Sequence, residues 1–154
     1  MIAERVLKWF LRVSGVLILL AVIPVFAPTD WLAGCHERIG LGPLPKGAIV
    51  EYLMRSLSAF YAMYGGLLLV LAADPRRYSG AIAYTALASV LFGLLMIWVD
   101  RRVGLPLVWI LSEGPSAILL GIFILILQAR IRSKARLGPE QSLPPLKVAG
   151  GGPQ

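Results

Sequence analysis

LPLVWILSEGPSAILLGIFILILQ, residues 105–128, is the stretch that decides the fold. At about 1.5 Å of rise per residue it is long enough, as a helix, to cross the roughly 30 Å hydrocarbon core of a bilayer. It is apolar except for one carboxylate, Glu113, the hydroxyls Ser112 and Ser116 on either side of it, and Gln128 at its end. Working outward, three more apolar runs precede it, at about 9–27, 52–73 and 80–99. The chain of 154 residues is 58% hydrophobic and 15% charged. Soluble domains hold about 45–50% apolar and about 25% charged residues, so most of this surface must face lipid. The expected fold is an all-α membrane protein: an antiparallel bundle of four transmembrane helices with an N-terminal amphipathic extension.

Residues 1–12, MIAERVLKWFLR, place Glu4, Lys8 and Arg12 four apart on one helical face, with Leu7, Phe10 and Leu11 opposite. That pattern predicts an amphipathic helix at the membrane surface. The first span continues from it if Lys8 and Arg12 extend to the headgroups. Val25 and Ala27 resemble a signal-peptide cleavage pattern, but Pro28 would follow the cut, so the span is read as a retained anchor. Pro24 is expected to kink it near the far end. Residues 28–51 form the one sizeable loop. Thr29 and Asp30 are placed to cap a short surface helix running through Arg38, ended by Gly40-Leu41-Gly42-Pro43.

The second span carries Arg55 near its start. Arg55, Ala59, Ala62 and Gly66 recur at helical spacing, with Ser58 and Gly65 flanking, a small-residue face suited to close packing in lipid. Asp74-Pro75-Arg76-Arg77 reads as a tight turn. Thr85, Ser89 and Gly93 make a second small row on the third span, continued by Met96 and Asp100. Asp100-Arg101-Arg102-Val103-Gly104 reads as the next turn. Residues 129–154 are read as a basic and then Pro/Gly-rich tail outside the membrane. The 13–128 stretch is thus the membrane domain, and no internal repeat is evident.

Four spans put both termini on one side. Arg5, Lys8, Arg12, Arg76, Arg77, Arg130, Arg132, Lys134, Arg136 and Lys147 fall on that side. Arg38, Lys46, Arg101 and Arg102 fall on the other. The positive-inside rule then predicts a multi-pass protein of the inner (plasma) membrane with cytoplasmic N- and C-termini. The net charge of +7 is therefore topological, and no nucleic-acid partner is expected: the basic residues do not line one face with aromatics. The single Cys35 excludes an internal disulfide. With one histidine, His36, neither a His-rich nor a Cys-x-x-Cys metal site can be built, and no cofactor is expected.

Charged groups inside the membrane are the candidate site. Glu113 lies roughly 12 Å into the fourth span and Arg55 roughly 5 Å into the second, from the same side; Asp100 closes the third span there. An intramembrane charge costs about 2.5–3.5 kcal/mol on the insertion scale, so such groups pair inside the bundle. Glu113, Ala117 and Gly121 share one face. The spacing predicts an Arg55–Glu113 ion pair with Asp100 nearby and Ser112 and Ser116 flanking. Gly114-Pro115 is expected to loosen or kink the helix there. The pair can be a register-fixing element or the polar end of a binding pocket. No span contains a histidine base, so a nucleophilic triad is not expected.

The order Arg55, Tyr64-Gly65-Gly66, Asp74-Pro75-Arg76-Arg77, Gly93, Gly104, Pro106 and Glu113 resembles a family of small four-helix bacterial integral membrane proteins known as a domain of unknown function. The resemblance covers about half of the chain and rests on short motifs. Members often carry an arginine after the third-span glycine, where this chain reads Gly93-Leu94-Leu95-Met96. The resemblance implies the architecture and no activity. A fainter similarity to four-helix sterol-isomerase and sterol-binding membrane proteins rests on helix count and Glu113.

The expectation is a non-enzymatic integral membrane protein. It would be an accessory subunit, or a binder of lipid or of a small hydrophobic ligand, with membrane lipid and a protein partner or a second copy around it. The alternative is a small oligomeric transporter or proton-coupled carrier using Glu113. A third is a lipid-modifying membrane enzyme with Glu113 as acid and base.

Overall fold

A computed structural model describes residues 2–137, with side chains through Ser133. Its elements are α1 (Ile2–Leu19), α2 (Val22–Phe26), α3 (Thr29–Arg38), α4 (Ala48–Leu71), α5 (Ser79–Val103) and α6 (Leu107–Leu137). Among the described residues the chain is all-helical. Four segments are long and apolar enough to cross a membrane: Ile2–Phe26, Ala48–Leu71, Ser79–Val103 and Leu107–Ser133. Large apolar side chains, Leu17, Phe60, Met63, Leu87 and Leu119 among them, point outward around the bundle. In water such a belt would be intolerable; in a multi-pass membrane protein it is the lipid-facing surface.

Proline explains the break in the first segment. Pro24 has no N–H and its ring crowds the carbonyl four residues back, which is that of Leu20. The helix accordingly stops at Leu19 and restarts at Val22, with Ile23 N–H turning back to the Leu20 carbonyl at 2.9 Å. The N-terminal extension and the first span are otherwise one helix: α1 runs unbroken from Ile2 through Arg12 to Leu19. Pro115, by contrast, sits inside a continuous α6.

Several boundaries move from their expected places. The helix over Thr29–Arg38 forms, but without a side-chain cap: Pro28 occupies the N-cap, and the Thr29 hydroxyl donates instead to Glu51 at 3.0 Å. Gly40, at φ 85°, follows it in a conformation that disfavours side chains with a Cβ. α4 starts one turn earlier than expected, so Glu51 is helical. α5 takes in Asp100 to Val103, and the turn is Gly104 to Pro106, with Gly104 in the left-handed region at φ 79°. α6 extends through Leu137, so residues 129–137 lengthen a helix where a tail is expected. The expected Pro/Gly-rich tail from 138 onward lies outside the described residues. The Asp74 turn forms as an Asx turn, its Oδ1 accepting from the N–H of Arg76 (3.2 Å) and of Arg77 (3.1 Å).

Close packing runs α4 against α1, α1 against α6, and α6 against α5; α4 approaches α5 and α6 much less closely. Glycines set the tight contacts. A Cβ on Gly15 would lie 2.9 Å from the Gly65 carbonyl oxygen, and a Cβ on Gly114 would lie 2.8 Å from that of Gly93. Gly121 meets Val90 and the Ala86 carbonyl. The packed core is Leu7, Leu11, Leu68, Leu71, Ala72, Ile82, Ala86, Ile124 and Leu127. All of these belong to the half of the bundle that carries the N-terminus. Phe10 meets Phe123 edge-on there at 4.5 Å between ring centres, and Arg76 bonds Glu4 at 2.7 Å across the same end. The other half is not filled in this way.

Candidate functional site

In that less filled half, α1, α4, α5 and α6 together line a cavity of about 750 Å³. Its apolar wall includes Leu17, Leu57, Phe60, Phe92 and Leu120; its polar wall includes Tyr61, Tyr64, Ser89, Trp109, Ser112, Glu113 and Ser116. Leu17, Leu57 and Phe60 are more than half exposed, so the cavity opens sideways between the helices.

Glu113 is the carboxylate of this wall. Tyr61 reaches across from α4 and donates its O–H to Oε1 at 2.9 Å. Trp109, one turn earlier on α6, donates Nε1–H to Oε2 at 2.7 Å. Each carboxylate oxygen accepts once and keeps further lone-pair capacity. Deeper, Ser89 donates to the Thr85 carbonyl at 2.9 Å. A serine has one proton, so the 2.6 Å contact between Tyr64 and Ser89 has Tyr64 as donor. These two tyrosines bridge α4 to α6 and α5 where the backbones stand apart.

The expected site residues separate into two groups. Glu113, Ser112 and Ser116 share the cavity wall. The serine hydroxyls donate to carbonyls three residues back, Ser112 to Trp109 at 2.9 Å and Ser116 to Glu113 at 2.8 Å. Asp100 is buried, 3% exposed, at the end of α5, and its Oδ2 has no hydrogen-bond partner. It does not line the cavity.

The expected Arg55–Glu113 pair does not form. Arg55 turns to Glu51, one helical turn earlier, with Nε and Nη2 both on Oε1 at 3.0 and 2.8 Å. Its Nη1 donates to the Val25 carbonyl at 2.6 Å, and Nη2 lies 3.4 Å from the Thr29 hydroxyl. The physical reason is local. The end of α2 leaves carbonyls without helical partners, and a guanidinium with an i−4 carboxylate is well placed to satisfy them. Arg55 therefore ties α2 and α3 to α4, outside the cavity.

From the sequence Tyr61, with Phe60 and Tyr64, is expected to pack or to face lipid, and Trp109 carries no assignment; the structure puts both on Glu113. Trp109 could have been found: it stands four residues before Glu113, the spacing at which helical side chains meet. Tyr61 could not, because its contact depends on how α4 is rotated against α6. Among the described residues no group of three His, Cys, Asp or Glu side chains gathers to hold a metal ion. His36 Nδ1 lies 2.7 Å from the Gly42 carbonyl in the loop after α3.

No family model matches this chain, and no curated protein or solved structure shows significant similarity to it.

Proposed function

We propose that this chain is a non-enzymatic membrane protein that binds a lipid or a small hydrophobic molecule in the cavity beside Glu113. The observation carrying this reading is the cavity itself: about 750 Å³, opening sideways, largely apolar, with one anchored carboxylate. Ligand sites are concave and mostly apolar with a few placed polar groups. A purely structural Glu113 would call for packing around it, and the surrounding half of the bundle is open instead.

The other readings fit less well. A carrier needs a route through the bundle, and the packed layer of Leu7, Leu11, Leu68, Ile82 and Ile124 closes the far half. An enzyme needs a free nucleophile or base pair, and both serines beside Glu113 have their protons engaged by main-chain carbonyls. The basic-residue bias supports a plasma (inner) membrane location with both termini in the cytoplasm. The cavity then opens toward the outer leaflet.

The test is extraction of the protein from its native membrane into polymer nanodiscs, followed by native mass spectrometry. The wild type should retain a small-molecule adduct, and Ala117→Trp, which fills the cavity from its wall, should lose it. Equal adducts in both proteins, or none in either, would reject the reading.

A further inference from the structure

We propose that the ligand of this cavity is a lipophilic monocation, an amine carrying an aromatic or alkyl body. This rests on the binding reading above and adds the chemical class. Two independent observations lead to it.

The first is charge. Glu113 is the one ionisable carboxylate among the lining residues, and no Lys, Arg or His lines the cavity with it. The arginine expected to compensate it is engaged by Glu51 and the Val25 carbonyl. Tyr61 and Trp109 supply hydrogen bonds but no charge. A carboxylate at this depth is costly without a counter-charge, and the occupant of the cavity is positioned to bring it.

The second is the balance of donors and acceptors. Tyr61 and Trp109 have their protons on Glu113, Tyr64 has its own on Ser89, and Ser89 on Thr85. Ser112 and Ser116 have theirs on carbonyls. With the exception of Ser14, each polar side chain of the wall has its donors engaged and offers the cavity only acceptor lone pairs. The complementary ligand is a donor, and a charged N–H group is the strongest one. The aromatic faces of Phe60, Tyr61, Tyr64, Phe92 and Trp109 on the same wall suit a cation and an apolar body together.

A phospholipid with an ammonium headgroup fits worse than a free amine. Its phosphate would enter beside Glu113 with no basic side chain to receive it. A fatty acid meets the same obstacle.

Three probes with one shared body separate these cases: diphenylmethylamine, diphenylmethanol and diphenylacetate. They are titrated calorimetrically at neutral pH into the protein in phosphatidylcholine nanodiscs, with empty nanodiscs as the blank. The amine should bind saturably and about tenfold or more tighter than the alcohol, the scale of a desolvated cation–π and charge contribution. The carboxylate should show no saturable binding. In Glu113→Gln the preference for amine over alcohol should fall to about twofold or less. Comparable binding of all three probes to the wild type, or a preference for the alcohol or carboxylate, overturns the inference yet leaves hydrophobic binding standing. Should Glu113→Gln fail to fold, the wild-type comparison alone decides. Absence of binding by every probe, together with no native adduct, removes both the inference and the reading beneath it.

Discussion

Glu113 is anchored from two directions, by Tyr61 on another helix and by Trp109 on its own. Removing the hydroxyl with Tyr61→Phe keeps the ring but breaks the hydrogen bond from α4 to α6. Interhelical hydrogen bonds in membrane proteins average about 0.6 kcal/mol and reach about 1.7, so a modest drop in the thermal midpoint in detergent is expected, with ligand binding weakened as Glu113 loses its orientation. An unchanged midpoint and unchanged binding would show the bond to be incidental. Arg55→Ala should act elsewhere. It leaves the Val25 carbonyl without this donor and Glu51 with only the Thr29 hydroxyl, a loss felt in the α2–α3 segment. Limited proteolysis should cut residues 28–47 faster while amine binding persists; loss of binding would return Arg55 to the site. Three intramembrane charges are legible in the sequence, but depth and shared small-residue faces pair Arg55 with the wrong carboxylate. Glu51 was placed in a loop, so its i,i+4 relation to Arg55 went unseen, and so did the carbonyls that Pro24 leaves at the end of the broken helix.

At the scale of the helices, small residues decide how near the backbones come. The row Thr85, Ser89 and Gly93 was legible as an interhelical seam, and all three are buried against the neighbouring helices. On the second-span face Ala62 of the row and Gly65 at its flank are the buried small residues, and Gly65 rather than Gly66 meets α1: a Cβ on Gly65 would lie 2.7 Å from the Gly15 carbonyl oxygen while one on Gly66 meets nothing. Spacing defines a stripe about a residue wide, and only the partner's backbone picks the contact. Gly65→Val and Gly114→Val should therefore each destabilise by about 1–3 kcal/mol or more, the usual cost of overpacking, whereas Gly66→Ala should be nearly neutral. Thermal unfolding of the three variants in one detergent checks the order; equal midpoints would contradict the close approaches. Pro24 breaks the first segment, as its position predicts, whereas α6 is a single helix through Pro115.

Over the whole molecule, hydropathy carries the architecture: four spans, short returns and one long loop are legible in the sequence. The cavity is not, because it arises from what the helices fail to fill between α4 and α5, and a missing contact leaves no periodic trace. Topology has a built-in reporter. Cys35 is the chain's single cysteine, lies free and partly exposed on α3, and belongs to the loop assigned to the outer side. A membrane-impermeant maleimide should label it on intact cells with the outer face accessible, and labelling only after lysis would invert the orientation. The most direct test of the central claim is an experimental structure of the protein extracted with its native lipids and never exposed to detergent. Non-protein density in the cavity, touching Glu113 between Tyr61 and Trp109, is the expected result; α4 closed directly onto α5 with Glu113 sealed among side chains would contradict it.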